Sequence, residues 1–432
     1  MAEASVNWKN FLEYATLSDL GLRRSNNQDT ARVILASDAQ QWRTRGHLFM
    51  VADGMGAHAA GEMASKMACD LVPHAYQKLA DRPVPEAIHQ AVVEANAGIH
   101  NRGQANAEFH GMGTTTSVLL ILPEGALAAH VGDSRVYRLR RHMLEQLTFD
   151  HSLVWEMKAA GQLQGGDLPN FVPKNIITRS LGPHDEVQVD LEGPYPLEEG
   201  DTFLLCSDGL TGQVTDEEIG AILGCLSPQQ AARMLVDLAN LRGGPDNITV
   251  IVVRANRVLP NENIASAPPP KDRPSKLASI HPGIWVSIGV CFLGAILCGL
   301  AGYWLATIVL GFLGILVGVI ALGADSASDV PSASSQITER FGSGPHMTLD
   351  CRPTAQSVQS LADVQQKLRE AAREERWGID WEQLRTREHA AKGAVSEGDF
   401  AGATRQYCLA ISAMMSDLRQ GGSPPPNASV IA

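Results

Sequence analysis

Residues 47–65 read HLFMVADGMGAHAAGEMAS. The opening run, His47 to Ala52, is short and apolar, as a buried strand is. Asp53-Gly54 ends it at a residue pair suited to a tight turn. From Gly61 to Leu79 apolar residues recur at helical spacing, with Pro73 expected to break or kink that helix. A strand that stops on an aspartate beside a glycine is by itself a turn. The same pattern returns along the chain, however. Asp133 follows Val131-Gly132, Asp208-Gly209 follows the run Thr202 to Cys206, Asp246-Asn247 precedes Ile248 to Val253, and Asp29 stands in Asn27-Gln28-Asp29. Five carboxylates bordering strands are poorly explained as five separate turns. Converged at one sheet edge, they offer the hard oxygen ligands that Mg²⁺ or Mn²⁺ prefer. Two such ions lower the pKa of a shared water and orient it for attack on phosphorus.

Working outward, residues from Trp8 to Arg254 read as one unit. Further strand-like runs are Thr115 to Leu122 and Leu127 to Val131, and further helices are Pro85 to Ile99 and Ala231 to Leu241. Clustered strands with paired long helices indicate α+β layers rather than strict βαβ alternation.

Composition narrows the function classes. The chain has 432 residues and a formal net charge of −12, which argues against nucleic acid as a partner because phosphate-backbone binding needs clustered Lys and Arg. The seven cysteines are scattered and form no CxxC, so neither a disulfide framework nor a zinc site is expected, and a reducing compartment is. The first 30 residues lack the apolar core of a signal peptide. No Asp, Glu, Lys or Arg occurs in the 48 residues from Leu277 to Ala324. The other 384 residues carry all 82 charges, an ordinary soluble composition of 21%.

The motifs GLRRSNNQD (21–29), VADGMGAHAAGEMAS (51–65), GMGTTTSVLL (111–120), VGDSRVYRLR (131–140), LTFDHSLV (147–154), ITRSLG (177–182), LLCSDGLTGQVTDEEI (204–219) and GGPDNITVIVV (243–253) together resemble the metal-dependent Ser/Thr protein phosphatase family, PPM or PP2C, in its bacterial form. They lie in the family's order over about 245 residues. The resemblance implies an α+β fold, a β-sandwich of two antiparallel sheets flanked by helices. It implies hydrolysis of phosphoserine and phosphothreonine in proteins by a water activated by a dinuclear metal centre of Mn²⁺ or Mg²⁺, with no covalent enzyme intermediate. Position by position, Asp53 matches the carboxylate bridging the two core ions, and Gly54 the backbone carbonyl ligand. Asp208 and Asp246 match the remaining core carboxylates. Asp133 matches the ligand of a third ion, shared with Asp208. Asp29 contributes through metal-bound water. Arg24 matches the arginine that clamps the substrate phosphate. Met55 stands where eukaryotic members carry a histidine, leaving His58 or a metal-bound water as donor to the leaving group. Residues Asp150 to Thr178 correspond to a variable flap, where Gly165-Gly166 and Pro169 suggest mobility and specificity is expected to reside.

The expected domains are thus a phosphatase unit over 1–256 and a Pro-rich linker over 257–282. A transmembrane helical hairpin follows over 283–323, with spans at about 284–302 and 305–323. The apolar run is twice the length of one span, and Tyr303-Trp304 sit at its middle, where aromatic residues mark an interface. Lys271, Arg273 and Lys276 put the flanks in the cytoplasm by the positive-inside rule. A flexible linker is expected over 324–355, a helical segment over 356–420, and a disordered tail over 421–432. In the helical segment Gly398-Asp399-Phe400, Ala403, Tyr407 and Ala410 resemble the second helix of a single tetratricopeptide repeat. This describes a multi-pass protein of the cell (inner) membrane with phosphatase and tail in the cytoplasm, acting on Ser/Thr-phosphorylated proteins, including a kinase and its substrates, in signal transduction. Residues 356–420 would offer a protein partner a surface. The alternative is a pseudophosphatase or membrane scaffold that only binds phosphoproteins or partners through the helical tail. The intact set of metal carboxylates and Arg24 favours the enzyme.

Overall fold

In the computed structural model, which describes residues 11–57, 59–162, 173, 176–257 and 340–420, alternation along each strand sorts side chains between two core layers. On β3 (His47–Met55), Phe49 and Val51 face the layer between two sheets, while Leu48, Met50 and Ala52 face a helical layer.

The first sheet runs in the order β1 (Leu12–Asp19), β11 (Ile248–Ala255), β10 (Thr202–Cys206), β7 (Arg135–Arg140), β8 (Met143–Gln146) and β12 (Met347–Asp350). The second runs β2 (Asp29–Ile34), β3, β5 (Thr116–Leu122), β6 (Gly125–Val131) and β9 (Asp190–Tyr195), with β4 (Gly113–Thr114) paired to β3. Every pairing is antiparallel. Phe49, Leu119, Ile121, Phe203, Leu205 and Ile251 fill the space between the sheets. Helices α2 (Ala60–Lys78) and α3 (Val84–Ala105) cover the second sheet. On the first lie α6 (Asp216–Cys225) and α7 (Pro228–Leu241), each opened by a capping box. Shorter helices are α1 (Ala39–Arg45), α4 (Leu153–Ala159) and α5 (Asp208–Thr211). The α+β sandwich expected from sequence is present. Pro73 does not break its helix: α2 runs unbroken through it, with the ring buried.

The C-terminal region departs further from expectation. Residues 340–355 are not a flexible linker. Gly193 exchanges backbone hydrogen bonds with Phe341, Gly344 N–H donates to the buried Glu192 carboxylate at 2.9 Å, and His346 Nε2 lies 2.9 Å from the same carboxylate. Strand β12 then pairs with β8 and becomes the edge of the first sheet. Helices α8 (Ala355–Glu374), α9 (Trp381–Ser396) and α10 (Phe400–Gln420) follow. They belong to the same compact unit as the rest of the described chain. Cys408, Ile411, Met414, Met415 and Leu418 of α10 share one core with Ile222 of α6 and Leu235 of α7. Arg405 Nε donates to the Cys225 carbonyl at 2.8 Å, and Arg419 pairs with Asp237 at 2.7 Å. The apolar face of α10 is thus buried against α6 and α7.

Among the described residues no helix is long and apolar enough to cross a membrane. All but residue 257 of the linker expected over 257–282, the hairpin at 283–323, residues 324–339 of the linker expected over 324–355, and the tail at 421–432 lie outside the described residues. The five described cysteines are free and buried.

Candidate active site

The register of β2 against β3 sets Asp29 directly opposite Asp53. Asp208 opens α5 immediately after β10, Asp246 lies just before β11, and Asp133 follows β6. The carboxylates expected from sequence therefore come from adjacent strand ends of both sheets. Their mutual influence is direct. Burial drives the Asp53 carboxyl well above its usual range, and Asp29, Asp208 and Asp133 push it further. Burial also raises Asp133 to about 8, with Asp208 and Asp150 adding to it. Asp29 is lifted to about 6, again chiefly by burial, although the Ser207 hydroxyl donates to its Oδ2 at 2.7 Å. Asp208 is raised by burial and by Asp246, and it shares a hydrogen bond with Asp53. Asp29 Oδ1 and Asp133 Oδ1 are buried without a hydrogen-bond partner.

Buried carboxylates that repel one another are costly unless a cation or protons compensate. Unpartnered buried oxygens of hard character suit a divalent ion. As they stand, no group of three or more His, Cys, Asp or Glu side chains among the described residues is arranged to hold one. Asp53 and Asp208 share a hydrogen bond, and Arg24 Nη2 sits 2.7 Å from Asp246 Oδ2. The donor set fits such ions in type and burial.

Backbone contacts fix the cluster. Asp53 N–H donates to Thr115 Oγ1 at 2.9 Å, and its carbonyl accepts from Thr115 N–H and from the Thr114 hydroxyl. Thr115 Oγ1 in turn lies 2.8 Å from Ser134 Oγ, beside Asp133. Gly54 donates its N–H to the Gln28 carbonyl at 3.1 Å, and a Cβ there would run into the Gly61 carbonyl. Gly132 has φ 117, and a Cβ would meet Thr115 at 2.6 Å. Glycine is required at both places for close approach.

Several supporting residues were not singled out by the sequence reading. Asn247 grips the loop that carries Arg24: its Oδ1 accepts from Gln28 N–H, and its Nδ2 donates to the Leu20 and Asn26 carbonyls. The sequence signal is its place beside Asp246, which marks the position without revealing the partners. His151 Nδ1 accepts from Gly132 N–H at 3.0 Å, while His130 Nε2 donates to the Gly132 carbonyl at 2.9 Å. The peptide units preceding Asp133 are thus held from both sides. His130 is pushed down to about 3 by burial and by neighbouring His151, so it is neutral. His151 Nε2 reaches Asp190 at 3.0 Å; burial would raise that carboxyl, but His151 and Arg179 hold it at about 2. Asp150 receives Arg135 through both of its oxygens, at 3.0 and 2.9 Å.

Of the expected flap, α4 is capped by the Ser152 hydroxyl, and Leu153 and Thr178 bond across a bridge between Ser152 and Ile177. Residues 163–172 lie outside the described residues, as does His58.

Residues 23–239 match the family model described as protein phosphatase 2C. The chain belongs to the protein phosphatase 2C family. Its enzyme class is protein serine/threonine phosphatase. It is 41% identical over 250 residues to the protein phosphatase PhpP of Streptococcus pneumoniae, covering 57% of this chain and 98% of that protein. It is 37% identical over 241 residues to the serine/threonine phosphatase stp of Listeria monocytogenes, covering 55% and 93%. Among solved structures, the S. agalactiae serine/threonine phosphatase superposes with a TM-score of 0.51 at 36% identity, covering 57% of this chain and all of that one. The Mycobacterium tuberculosis phosphatase PstP/Ppp gives 0.50 at 34% identity, covering 57% and 99%.

Proposed function

We infer that this chain hydrolyses phosphoserine and phosphothreonine in proteins at a centre of two core divalent ions, Mn²⁺ or Mg²⁺, with Asp133 serving a third. The observation that carries this reading is the cluster of mutually destabilised carboxylates at the sheet ends, two of whose buried oxygens lack partners. Asp53, Asp208, Asp246 and the Gly54 carbonyl would hold the core pair, and Asp29 would act through water. When bound, the ions supply an activated water and a positive clamp for the phosphoryl oxygens.

The chain's own residues do the rest. Arg24, half-exposed at the rim and paired with Asp246, exchanges that carboxylate for the substrate phosphate, which its planar fork matches in geometry. Asn247 keeps the Arg24 loop in reach through three hydrogen bonds. Ser207 orients Asp29, and Thr115 ties the Asp53 backbone to Ser134 beside Asp133.

The membrane tether belongs to the same reading. The described chain leaves one compact unit at residue 257 and re-enters it at residue 340. Two spans would let the charge-free run leave and return on one side of a bilayer, which is what the rejoining of the described chain into one unit favours over a single span. Such an anchor confines the phosphatase to phosphoproteins near the bilayer, among them a kinase and its substrates. The tail helices, resembling one tetratricopeptide repeat, offer a surface to such partners.

The test uses the whole chain, because the tail completes the fold. Turnover of an aryl phosphate and of a phosphothreonine peptide is expected with Mn²⁺ or Mg²⁺ and is expected to vanish with chelator or in Asp53→Asn. Undiminished turnover in Asp53→Asn would refute the site. A topology reporter at residue 303 should read outside, and one after residue 432 inside. An outside reading at 432 would refute the two-span anchor.

A further inference from the structure

Helices α8 and α9 enclose a groove of about 520 Å³ with an unusual lining for an acidic protein. Arg369 and Arg373, four residues apart on α8, share one helix face. Arg376 follows the helix end, and Arg385 faces them from α9. Two tryptophans, Trp377 and Trp381, form the apolar wall. Glu388 is the one acidic residue of the lining, and Arg369 already neutralises it, at 2.8 and 3.1 Å. The Arg373 guanidinium lies over the Trp381 ring, 5.4 Å from its centroid. Among the described residues Arg373, Arg376 and Arg385 form no ion pair with a carboxylate.

The bland account covers only part of this. A basic residue in the last turn of α8 complements the helix dipole, which explains Arg373. It does not explain Arg376, which stands at φ 55, the left-handed position where a helix end normally carries glycine. Nor does it explain Arg385, the fifth residue of α9, which lies beyond the terminal turn where the dipole acts. Three unpaired guanidinium groups gathered around two indoles make a strong anion site with one greasy wall. A carboxylate carries one charge, which a single bidentate arginine matches. A phosphoryl group carries about −1.5 to −2 charges at neutral pH and accepts from two or three guanidinium groups together.

We propose that this groove is a second phosphate-recognition site, taking a phosphoserine or phosphothreonine segment whose neighbouring side chain is apolar and packs on Trp377 and Trp381. It rests on the reading that the enzyme acts on phosphoproteins. A protein phosphorylated at two positions would be held by the tail at one while the other enters the catalytic centre. Binding one position raises the effective concentration of the other.

The test compares the full chain with the double variant Arg376→Gly and Arg385→Ala. Glycine suits the left-handed backbone, so loss of binding there does not reflect unfolding. A second double variant, Arg43→Ala on α1 with Lys78→Ala on α2, removes the same charge on helices outside the groove lining. Anisotropy of a labelled phosphothreonine peptide with a flanking leucine is read in an Asp53→Asn background with chelator. Affinity is expected to fall at least tenfold in the groove variant alone. In the active enzyme, KM for phosphorylated casein should rise several-fold in the groove variant, with kcat and p-nitrophenyl phosphate turnover unchanged. Equal affinity in parent and groove variant, equal loss in the charge control, equal binding of the unphosphorylated peptide, or preference for phosphatidylglycerol vesicles over the peptide would each overturn the proposal. Failure of the catalytic reading is separate: it would appear as absent p-nitrophenyl phosphate turnover in the parent.

Discussion

The contact between Arg419 and Asp237 provides a stringent test of how the tail is held. Asp237 lies on α7 with a side chain that is 0% exposed, and only Oδ1 is paired, with Arg419 at 2.7 Å. Arg419 is 36% exposed, so water reaches the guanidinium. Breaking a buried pair by removing one partner costs about 3–5 kcal/mol. The partly hydrated guanidinium places Arg419→Ala at the low end, about 3 kcal/mol. For a body of this size that lowers the melting temperature by roughly 4–5 °C. The effect has a pH signature. Burial already raises the Asp237 pKa, and Arg419 is the largest opposing influence. Without Arg419 it rises further. A carboxyl whose folded pKa exceeds its unfolded value contributes stability that is complete below the unfolded pKa, about 3.9, and lost as pH climbs through the folded one. The deficit of Arg419→Ala should therefore be larger at pH 8 than at pH 5, and Asp237→Asn added to it should recover at least half. Differential scanning calorimetry of the full chain at both pH values reads this directly. A shift below about 2 °C, or one independent of pH, would refute a docked tail locked by this pair.

Three further outcomes follow from the geometry. Asp133 at about 8 and Asp29 at about 6 are protonated in increasing proportion as pH falls from 8.5 to 5.5, so protons compete with the ions. Calorimetric titration should show Mn²⁺ affinity falling about tenfold per pH unit for each proton displaced, and a flat profile would contradict the cluster. Gly220→Ala puts a Cβ into Cys351, just past β12. Overpacking of this kind costs about 1–3 kcal/mol, and amide exchange over 347–351 should accelerate, whereas unchanged exchange would show that the strand does not pack there. His151→Ala strips the buried Gly132 N–H of its acceptor, at about 1–3 kcal/mol. It should also weaken the weakest of the Mn²⁺ sites while leaving the tighter ones, and equal weakening of all sites would deny His151 its role in positioning Asp133.

Much of the catalytic body is legible in the sequence because its signals are local. The run Thr202 to Cys206 matches β10 residue for residue, whereas Asp53-Gly54, read as the turn that ends a strand, lies inside β3, which runs on to Met55 and pairs with β4, and Asp208-Gly209 opens α5. The convergence of Asp29, Asp53, Asp133, Asp208 and Asp246 was inferable from that recurrence. What escaped is non-local. Strand β12 is four residues, MTLD, paired to a partner two hundred residues earlier, and no periodicity so short identifies it. Its Gly- and Pro-rich approach reads as a linker, yet Glu192 and Phe341 bind it to the second sheet. Pro73 reads as a breaker because its missing N–H costs a helix one bond. Burial of α2 against the second sheet outweighs that loss. The roles of Asn247, His130 and His151 depend on backbone groups that sequence spacing does not bring together.

The order in which the chain is made acquires a meaning from the late position of β12 and α10. The first sheet has its edge, and α6 and α7 their cover, only once residues 340–420 have been synthesised. At about 5–20 residues per second, some 80 residues leave the apolar surface of Ile222, Leu235 and their neighbours uncovered for roughly 4–16 seconds. The charge-free segment is translated before that closure. The nascent protein thus exposes its charge-free stretch while still incomplete, and the last of the described helices finishes a domain whose first described strand was made near the start. A ribosome that stalls within the tail releases a phosphatase with an open flank, a natural substrate for chaperones and proteases.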